Sequence, residues 1–598
     1  MLMTKIKENR LVLVTGGLFL LLAVGHIPAN ILKAVFDKNA SIHFINLMVI
    51  GLIFGAYILW QINRFVVTGS AIIALWVLVA VVLFSAIGSP SLINSMVGDT
   101  GRHVGVISLF CLLLASIYHA QFNFGQIKKL IALYLGSVTF VGLLGIAQYF
   151  HWLNFPGDGG RITSTLGNLD FYGAFLGTSL PLFFYLWLDE SRRTRIFLAI
   201  GGATNLLGIF LSGRRQAFVD VALLVLGIAI YLLRRFIPRR ELSLGARNAF
   251  FTLGFIIWIE GIFLMPFLGK SVPVLGSDVQ VQIRGQFWDA ALKQLIAHPL
   301  LGVGPDQYGN YYEQYRSVTS IKQYATLLAN DAHGANVQTL ATLGLFGAIA
   351  FAALIAILIR SLLILWDRYP QARKYLAAIS LYFFIFLTNS AISPITLPNK
   401  FIFWSLAGWI VGWAYKNKFH DVPEGEWDSN IPLRRNQMGL KALVILMVGC
   451  TAFVGINFAS SQYRFISALE NHAKHPKGKI NFEPSPYLPC LGYFDATTQI
   501  ALNQGNNHLY TVAFKEIQNH PRCFAARMIV AQVDWINGDM VDMGKQVRAL
   551  EEIAPSRMDF LKMATAYADR VGDKALQHQL YLQMVKIGFI EIVHTGKK

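Results

Sequence analysis

The sequence predicts an all-α protein: a polytopic bundle of about thirteen transmembrane helices, a large extracytoplasmic loop and a C-terminal extracytoplasmic helical domain. Three observations predict it. The 598 residues are 55% hydrophobic and only 14% charged, with a mean hydropathy of +0.49, too few charges to cover a soluble surface. Long apolar runs recur along the chain, each sufficient to cross a hydrocarbon layer. The cations behind the net charge of +18 sit mostly in short loops between those runs. That is the topology signal of a membrane protein and not a nucleic-acid surface, which would show basic patches interleaved with aromatics.

The predicted spans lie near 11–28, 43–61, 70–88, 103–120, 127–148, 171–188, 196–212, 216–233, 248–268, 336–359, 375–392, 401–416 and 440–459. The first follows Lys5, Lys7 and Arg10 and reads as a signal anchor, since no small-x-small cleavage site follows it. With the N-terminus in the cytoplasm, the inside loops hold 23 cations and the short outside loops 7, as the positive-inside rule requires. The chain then divides into an N-terminal bundle (1–268), an extracytoplasmic loop (269–335), C-terminal spans (336–459) and an extracytoplasmic tail (460–598).

Within the loop, Arg284 to Ala297 reads as an amphipathic helix with Phe287, Ala291, Leu292 and Leu295 on one face, ended by His298-Pro299. After the turn "GVGP", Tyr308, Tyr311, Tyr312 and Tyr315 share a helical face that serves either packing or sugar stacking. The tail opens on a proline-rich stretch and then turns helical. "NGD" and "VGD" punctuate it at 537–539 and 571–573, a 34-residue period that fits tetratricopeptide-like helix pairs as well as an irregular bundle. Cys490 and Cys523 lie in this tail, where a disulfide is permitted; Cys111 and Cys450 fall in spans and read as packing residues.

Ionisable residues at the outer membrane edge are the candidates for chemistry. Arg214 and Arg215 occupy a very short connection in "LSGRRQAF", where two guanidiniums suit a phosphate or pyrophosphate. Arg284 begins the loop helix, an unfavourable place for a cation. His333 stands before the tenth span and as a neutral imidazole suits a general base. Asp331 and Asn336 are beside it as possible orienting residues, and Asp306, Glu313 or Asp331 could orient or replace it. No metal-ligand spacing surrounds His333, and the chain has no Walker A loop, dinucleotide fingerprint or GxSxG elbow.

Four stretches in order carry a resemblance: "STLGNLDFYGAFL", "LSGRRQAFV", "RGQFWDAALKQLIAHPLLGVGPDQY" and "AHGANVQTLATLGLFGAI", with "GDTGRHVG" as a fainter upstream match. From about 160 to 415 the chain resembles the bacterial O-antigen ligase and O-antigen polymerase superfamily. The resemblance implies a GT-C-like, multi-pass protein of the bacterial inner membrane. It implies en bloc transfer of a glycan from a polyprenyl-pyrophosphate carrier to an acceptor hydroxyl, without cofactor or metal. Carried over residue by residue, Arg215, Arg284 and His333 are catalytic, and Arg214 and Arg102 join Arg215 and Arg284 around the pyrophosphate. Gly334 and Gln216 depart from the family's usual Asn and Gly, which leaves Arg214 and Arg215 as alternatives for the turn arginine. The implied partners are the lipid-linked donor, a lipid-core, glycan or protein acceptor, and membrane lipids. A transporter of lipid-linked glycan or anionic solute would use the same arginines without needing His333, and a scaffold would act through its tail.

Overall fold

The computed structural model describes residues 2–24, 38–62, 65, 69–99, 101–153, 162–188, 191–233, 243–264, 278–324, 327–416, 434–475, 484–488, 490 and 506–589. The predicted loop cations Lys33, Arg64, Arg161, Arg234, Arg235, Arg239, Arg240 and Lys418 lie outside them. Among the described residues the elements are all helical, and the chain is a polytopic helical membrane protein. Among the described residues nine helices, from Ser41–Trp60 to Gln437–Ala468, are long and apolar enough to cross a membrane. Leu11–Val24 and Val106–His119 are shorter apolar helices, and Leu244–Leu264 and Leu397–Lys416 lie on the remaining predicted spans.

The residues form two compact units. The first comprises Met1–Ala80, Ile107–Phe263 and Ile349–Gly455. Its apolar helices are joined by a few buried polar pairs. Asn389 donates to Asp220 at 2.9 Å, and Asn399 donates to Thr178 at 3.0 Å. Gly177 leaves room for the Asp220 carboxylate, which a Cβ there would strike. Hydrogen bonds between spans have the weight of glue in a medium that offers no water.

The second unit comprises Val81–Val106, Leu264–Ala348 and Ile456–Lys598. The loop and the tail, separate in the sequence reading, share this unit with a segment from the N-terminal part. Its loop helix runs Val279–Ala297, capped by Asp278, whose carboxylate accepts from the amides of Gln280 and Val281. Arg284 therefore sits in the second turn and does not start the helix. The acidic cap sets the start one and a half turns earlier, so the unfavourable dipole position expected for Arg284 does not arise. Phe287, Ala291 and Gln294 form the buried stripe, with Trp288 and Ala290 beside them, while Leu292 and Leu295 are only half-buried.

After the short helices Tyr308–Tyr315 and Val318–Gln323, the helix Ala335–Arg368 is broken at Gly344 (φ 64°, ψ −162°). A break frees backbone groups that must be paired elsewhere. Here the Pro299–Gly304 loop pairs them. Val303 and Gly304 donate to the carbonyls of Ala341 and Thr342 (both 3.0 Å), and Leu345 and Phe346 donate to those of Pro299 (2.9 Å) and Leu300 (3.2 Å). The Ser85 hydroxyl donates to the carbonyls of Leu301 (2.6 Å) and Thr342 (3.0 Å), fastening the contact from a third segment. Gly302 (φ 66°) and Gly344 face one another across it: a Cβ on Gly302 would strike Thr342 and Leu343, and one on Gly344 would strike the Leu300 carbonyl. "PLLGVG" and "TLGLFG" are two halves of one interlock.

The helix Arg434–Lys474 continues fifteen residues past the predicted membrane boundary at 459, because no proline interrupts the chain before Pro476. In the tail, five helices follow: Asn506–Asn519, Phe524–Asn537, Met540–Ile553, Met558–Val571 and Lys574–Lys586, each packed on the next. Gly538 and Gly572 cap two of them in the left-handed conformation, at the two punctuation points read from sequence. Cys490 and Cys523 form a disulfide with a Cα–Cα separation of 5.8 Å.

Gly344→Ala is expected to lower stability by about 1–3 kcal/mol, since a Cβ is forced into positive φ against the Leu300 carbonyl. Gly202→Ala, a helical site with open space around its Cβ, is expected to be neutral or stabilising. Thermal unfolding of the detergent-solubilised chain measures both.

Candidate functional site

The half-helix that ends at the Gly344 break begins at Ala335, and His333 lies just before it. Two short bonds shape its approach. The Asp331 carboxylate accepts the backbone N–H of His333 at 2.6 Å, and Gln338 accepts that of Ala332 at 2.8 Å. They hold His333 at φ 55°, a left-handed conformation rare outside glycine. Asp331 thus meets His333 through its backbone and not its ring. The ring stacks on Phe287 of the loop helix, with centroids 5.1 Å apart and planes at 30°. Asn336 makes no side-chain hydrogen bond among the described residues.

Charges surround this ring. Arg102 pairs with Asp331 at 3.2 Å, both nearly buried. Burial, then the positive charges of Arg102 and Arg284, lower the His333 pKa to about 4, against the opposing pull of Asp331. At neutral pH the imidazole is therefore uncharged and open to a proton. Arg284 also donates to the Gln280 carbonyl of its own helix at 3.3 Å.

Below the histidine lies an acidic group from the Gly-rich loop 98–105. Asn330 donates to Asp99 at 3.0 Å, and the Asp306 carboxylate accepts the amides of Asp99 (2.7 Å) and Val104 (3.2 Å). Burial, reinforced by Asp99 and Asp331, raises the Asp306 pKa to about 8, and burial likewise raises that of Asp99. Three chain segments are thereby tied beneath one imidazole. Of the other loop carboxylates, Glu313 pairs with Arg316 at 3.0 Å.

The tyrosine face packs. Tyr308, Tyr311 and Tyr312 are buried, and the Tyr308 hydroxyl donates to the Phe287 carbonyl at 2.8 Å. Arg522 of the tail lies 3.9 Å over the Tyr311 ring and donates to Asn310 (3.0 Å) and Gln314 (2.7 Å).

Arg214 and Arg215 belong to the first unit. Helix Arg192–Ser212 ends on Gly213 in the left-handed conformation, and the next helix begins at Arg215. Arg214 pairs with Asp170 at 3.3 Å, a half-exposed contact. Arg215 is exposed at the first turn of its helix, where unpaired amides and the dipole favour an anion.

Among the described residues, the one set of three ligand-type side chains close enough to share an ion is Cys490, Glu516 and Cys523. Two of these are joined in the disulfide, which leaves no thiolate for a metal.

Residues 196–352 match the family described as O-antigen ligase, and they include Arg214, Arg215, Arg284, Asp331 and His333. Over this segment the chain is similar to the O-antigen ligase and polymerase superfamily. No curated protein matches the chain. Arg102 and Asp99 lie outside the matched O-antigen ligase segment. The sequence did not single out Phe287 as the platform of the imidazole, nor Asp99 and Asn330. The only available signal for Asp99 was its place in "GDTGRHVG"; a bond across 231 residues leaves no local pattern.

Asp306 is protonated in the fold from its ordinary carboxylate range up to about pH 8, while in the unfolded chain it ionises near 3.8. The folded state therefore binds the extra proton across that window, and stability falls as pH rises from about 4 to about 8. Asp306→Asn is expected to flatten this slope in thermal midpoints measured against pH.

Proposed function

We propose that the chain transfers a glycan en bloc from a polyprenyl-pyrophosphate carrier to an acceptor hydroxyl on the extracytoplasmic face of a bacterial inner membrane, with the N-terminus cytoplasmic. The observation that carries this reading is an uncharged imidazole, His333, stacked on Phe287 and flanked by Arg102 and Arg284, inside a segment that matches O-antigen ligases.

In the proposed reaction His333 takes the proton of the acceptor hydroxyl. The acceptor oxygen bonds to the anomeric carbon, and the bond from that carbon to the pyrophosphate oxygen breaks. Its electron pair leaves with the polyprenyl pyrophosphate. Arg284 and Arg215, with Arg214 and Arg102 as further cations, neutralise the departing charge. Arg102 also acts through Asp331, with which it fixes the backbone that presents His333. Asp331 is a positioning residue on the same ground. Asn336, whose side-chain nitrogen and oxygen are buried without partners among the described residues at the start of the half-helix, is a second candidate for orienting His333. The arginines serve the leaving group in place of a metal, and no cofactor enters the scheme.

A ligase acceptor is the leading reading. The superfamily also allows a growing glycan or a protein hydroxyl, and the tail, whose helix pairs we read as tetratricopeptide-like, favours an acceptor that must be recruited. A transporter would keep the arginines and be indifferent to His333.

Turnover of a lipid-linked oligosaccharide by the reconstituted chain is expected to fall roughly 10²–10⁴-fold in His333→Ala, with carrier binding retained, and to fall with weaker carrier binding in Arg284→Ala. Binding without release in every variant, insensitive to His333, points to transport instead. EDTA is expected to leave the rate unchanged; loss restored by Mg²⁺ or Mn²⁺ contradicts the metal-free scheme. Because His333 must be unprotonated to act, kcat/KM is expected to drop only as pH falls through about 4. The limb in kcat should lie higher, since a bound pyrophosphate favours the imidazolium.

A further inference from the structure

The C-terminal end of the loop helix Val279–Ala297 and the turn after it carry apolar side chains that the fold leaves uncovered. Ile296 is 78% exposed and Leu300 54%, with Ala297 and Pro299 exposed between them. The pairing of this turn with the Gly344 break adds a second segment. Leu345 donates to the Pro299 carbonyl and Phe346 to that of Leu300, which sets two more exposed side chains alongside, Leu345 at 45% and Phe346 at 47%. Apolar residues scattered singly over a surface need no explanation, but a contiguous group does.

Charge is absent from the same place. No charged side chain lies between Lys293 and Asp306, and none between His333 and Arg360. The other end of the loop helix carries Asp278, Gln280, Gln282, Arg284 and Gln286. The helix therefore meets apolar surroundings with its C-terminal tip.

The backbone of the turn is fitted to those surroundings. Away from water, an irregular segment survives only where its N–H and C=O groups are paired within the protein. Here the carbonyls of Pro299, Leu300 and Leu301 accept from Leu345, Phe346 and the Ser85 hydroxyl. The amides of Gly302, Val303 and Gly304 donate to the carbonyls of His298, Ala341 and Thr342. Pro299 brings no N–H to satisfy. Beyond Gly344 the helix Ala335–Arg368 continues into a stretch long and apolar enough to cross a membrane. The patch is thus continuous with a surface that faces lipid.

We propose that this tip, centred on Ile296, Leu300, Leu345 and Phe346, is seated among the acyl chains of the bilayer and fastens the loop helix to the membrane. The partner is bulk phospholipid, recognised by apolar area alone. The helix that carries Arg284 and Phe287 is thereby held by one end at the membrane. Which leaflet this is, and its use to a lipid-linked donor, rest on the transferase reading; the lipid contact rests on the patch.

Nitroxide labels on the full-length chain test it, in a Cys111→Ser, Cys450→Ser background that keeps the Cys490–Cys523 disulfide. Ile296→Cys and Leu300→Cys are compared with Val541→Cys on the tail, an apolar site 73% exposed and away from the patch. The vesicles are synthetic phosphatidylethanolamine and phosphatidylglycerol, with no polyprenyl lipid. Oxygen concentrates among acyl chains and a nickel chelate in water. The ratio of oxygen to nickel collision rates is expected to be several-fold higher at 296 and 300 than at 541. A ratio at either site equal to that at 541 overturns the proposal. So does protection from both reagents, which shows protein on the patch; dipolar broadening that vanishes on dilution with unlabelled chain then identifies a second copy. Ratios that become lipid-like only when polyprenyl phosphate is added assign the patch to the carrier and overturn the bulk-lipid contact. Thermal unfolding checks each variant. If the cysteine background unfolds, benzoylphenylalanine in place of Leu300 in the otherwise unaltered chain serves instead: crosslinks to phospholipid are expected, and crosslinks to protein alone, or none, overturn the proposal. Lipid-like ratios in a chain that releases no polyprenyl pyrophosphate keep the anchor and sink the transferase reading; release by a chain whose tip is in water does the reverse.

Discussion

The second unit depends on one backbone arrangement, the pairing of the Pro299–Gly304 loop with the break in helix Ala335–Arg368. An unbroken helix would use its amides and carbonyls on itself. The break at Gly344 releases four of them, and four groups of the loop take them up. No side chain could stand in that space, which is why glycine occupies both facing positions. The interlock joins the end of the loop helix to the half-helix below His333. Phe287 on the first element and His333 at the head of the second are thereby held in ring contact. Ring stacking and backbone geometry together set the orientation of the imidazole.

Beneath the ring the polar groups work as a clamp. Asn330 and Asp331 reach Asp99 and Arg102, and Asp306 collects the amides of the Gly-rich loop. Three carboxyls in one buried place would repel if all were ionised. Raising the pKa of Asp306 lets one hold its proton and removes that repulsion. The same burial that makes Asp306 a weak acid makes His333 a weak base. One desolvated environment therefore sets both protonation states, with the carboxyl neutral and the imidazole neutral at the same pH.

Much of this was legible along the chain. Apolar runs placed the spans, because membrane depth imposes length and composition directly on sequence. Gly538 and Gly572 marked the tail turns, since a left-handed cap selects glycine locally. His333, Arg284 and the arginine pair stood out as polar residues near apolar runs, and the matched family segment contains all four. What was not legible depends on pairing across the chain. The helix start at Asp278 needed recognition of an acidic cap among loop residues. The Phe287 stacking, the Asp99–Asn330 bond and the Ser85 anchor join residues far apart in sequence, and each looks ordinary in its own neighbourhood. The disulfide was permitted by compartment but needed a Cα separation to become a finding.

The docking of Arg522 on Tyr311 and Asn310 has a consequence in time. The loop helix and the half-helix below His333 are synthesised before the segment that carries Arg522. The Ser91 hydroxyl likewise waits for the Asn519 carbonyl before its bond can form. Until the tail arrives, Tyr311 lacks its covering cation and Asn310 its bond to Arg522. The second unit therefore needs the tail for its packing, and a chain cut short before the tail would present its histidine on an incomplete support.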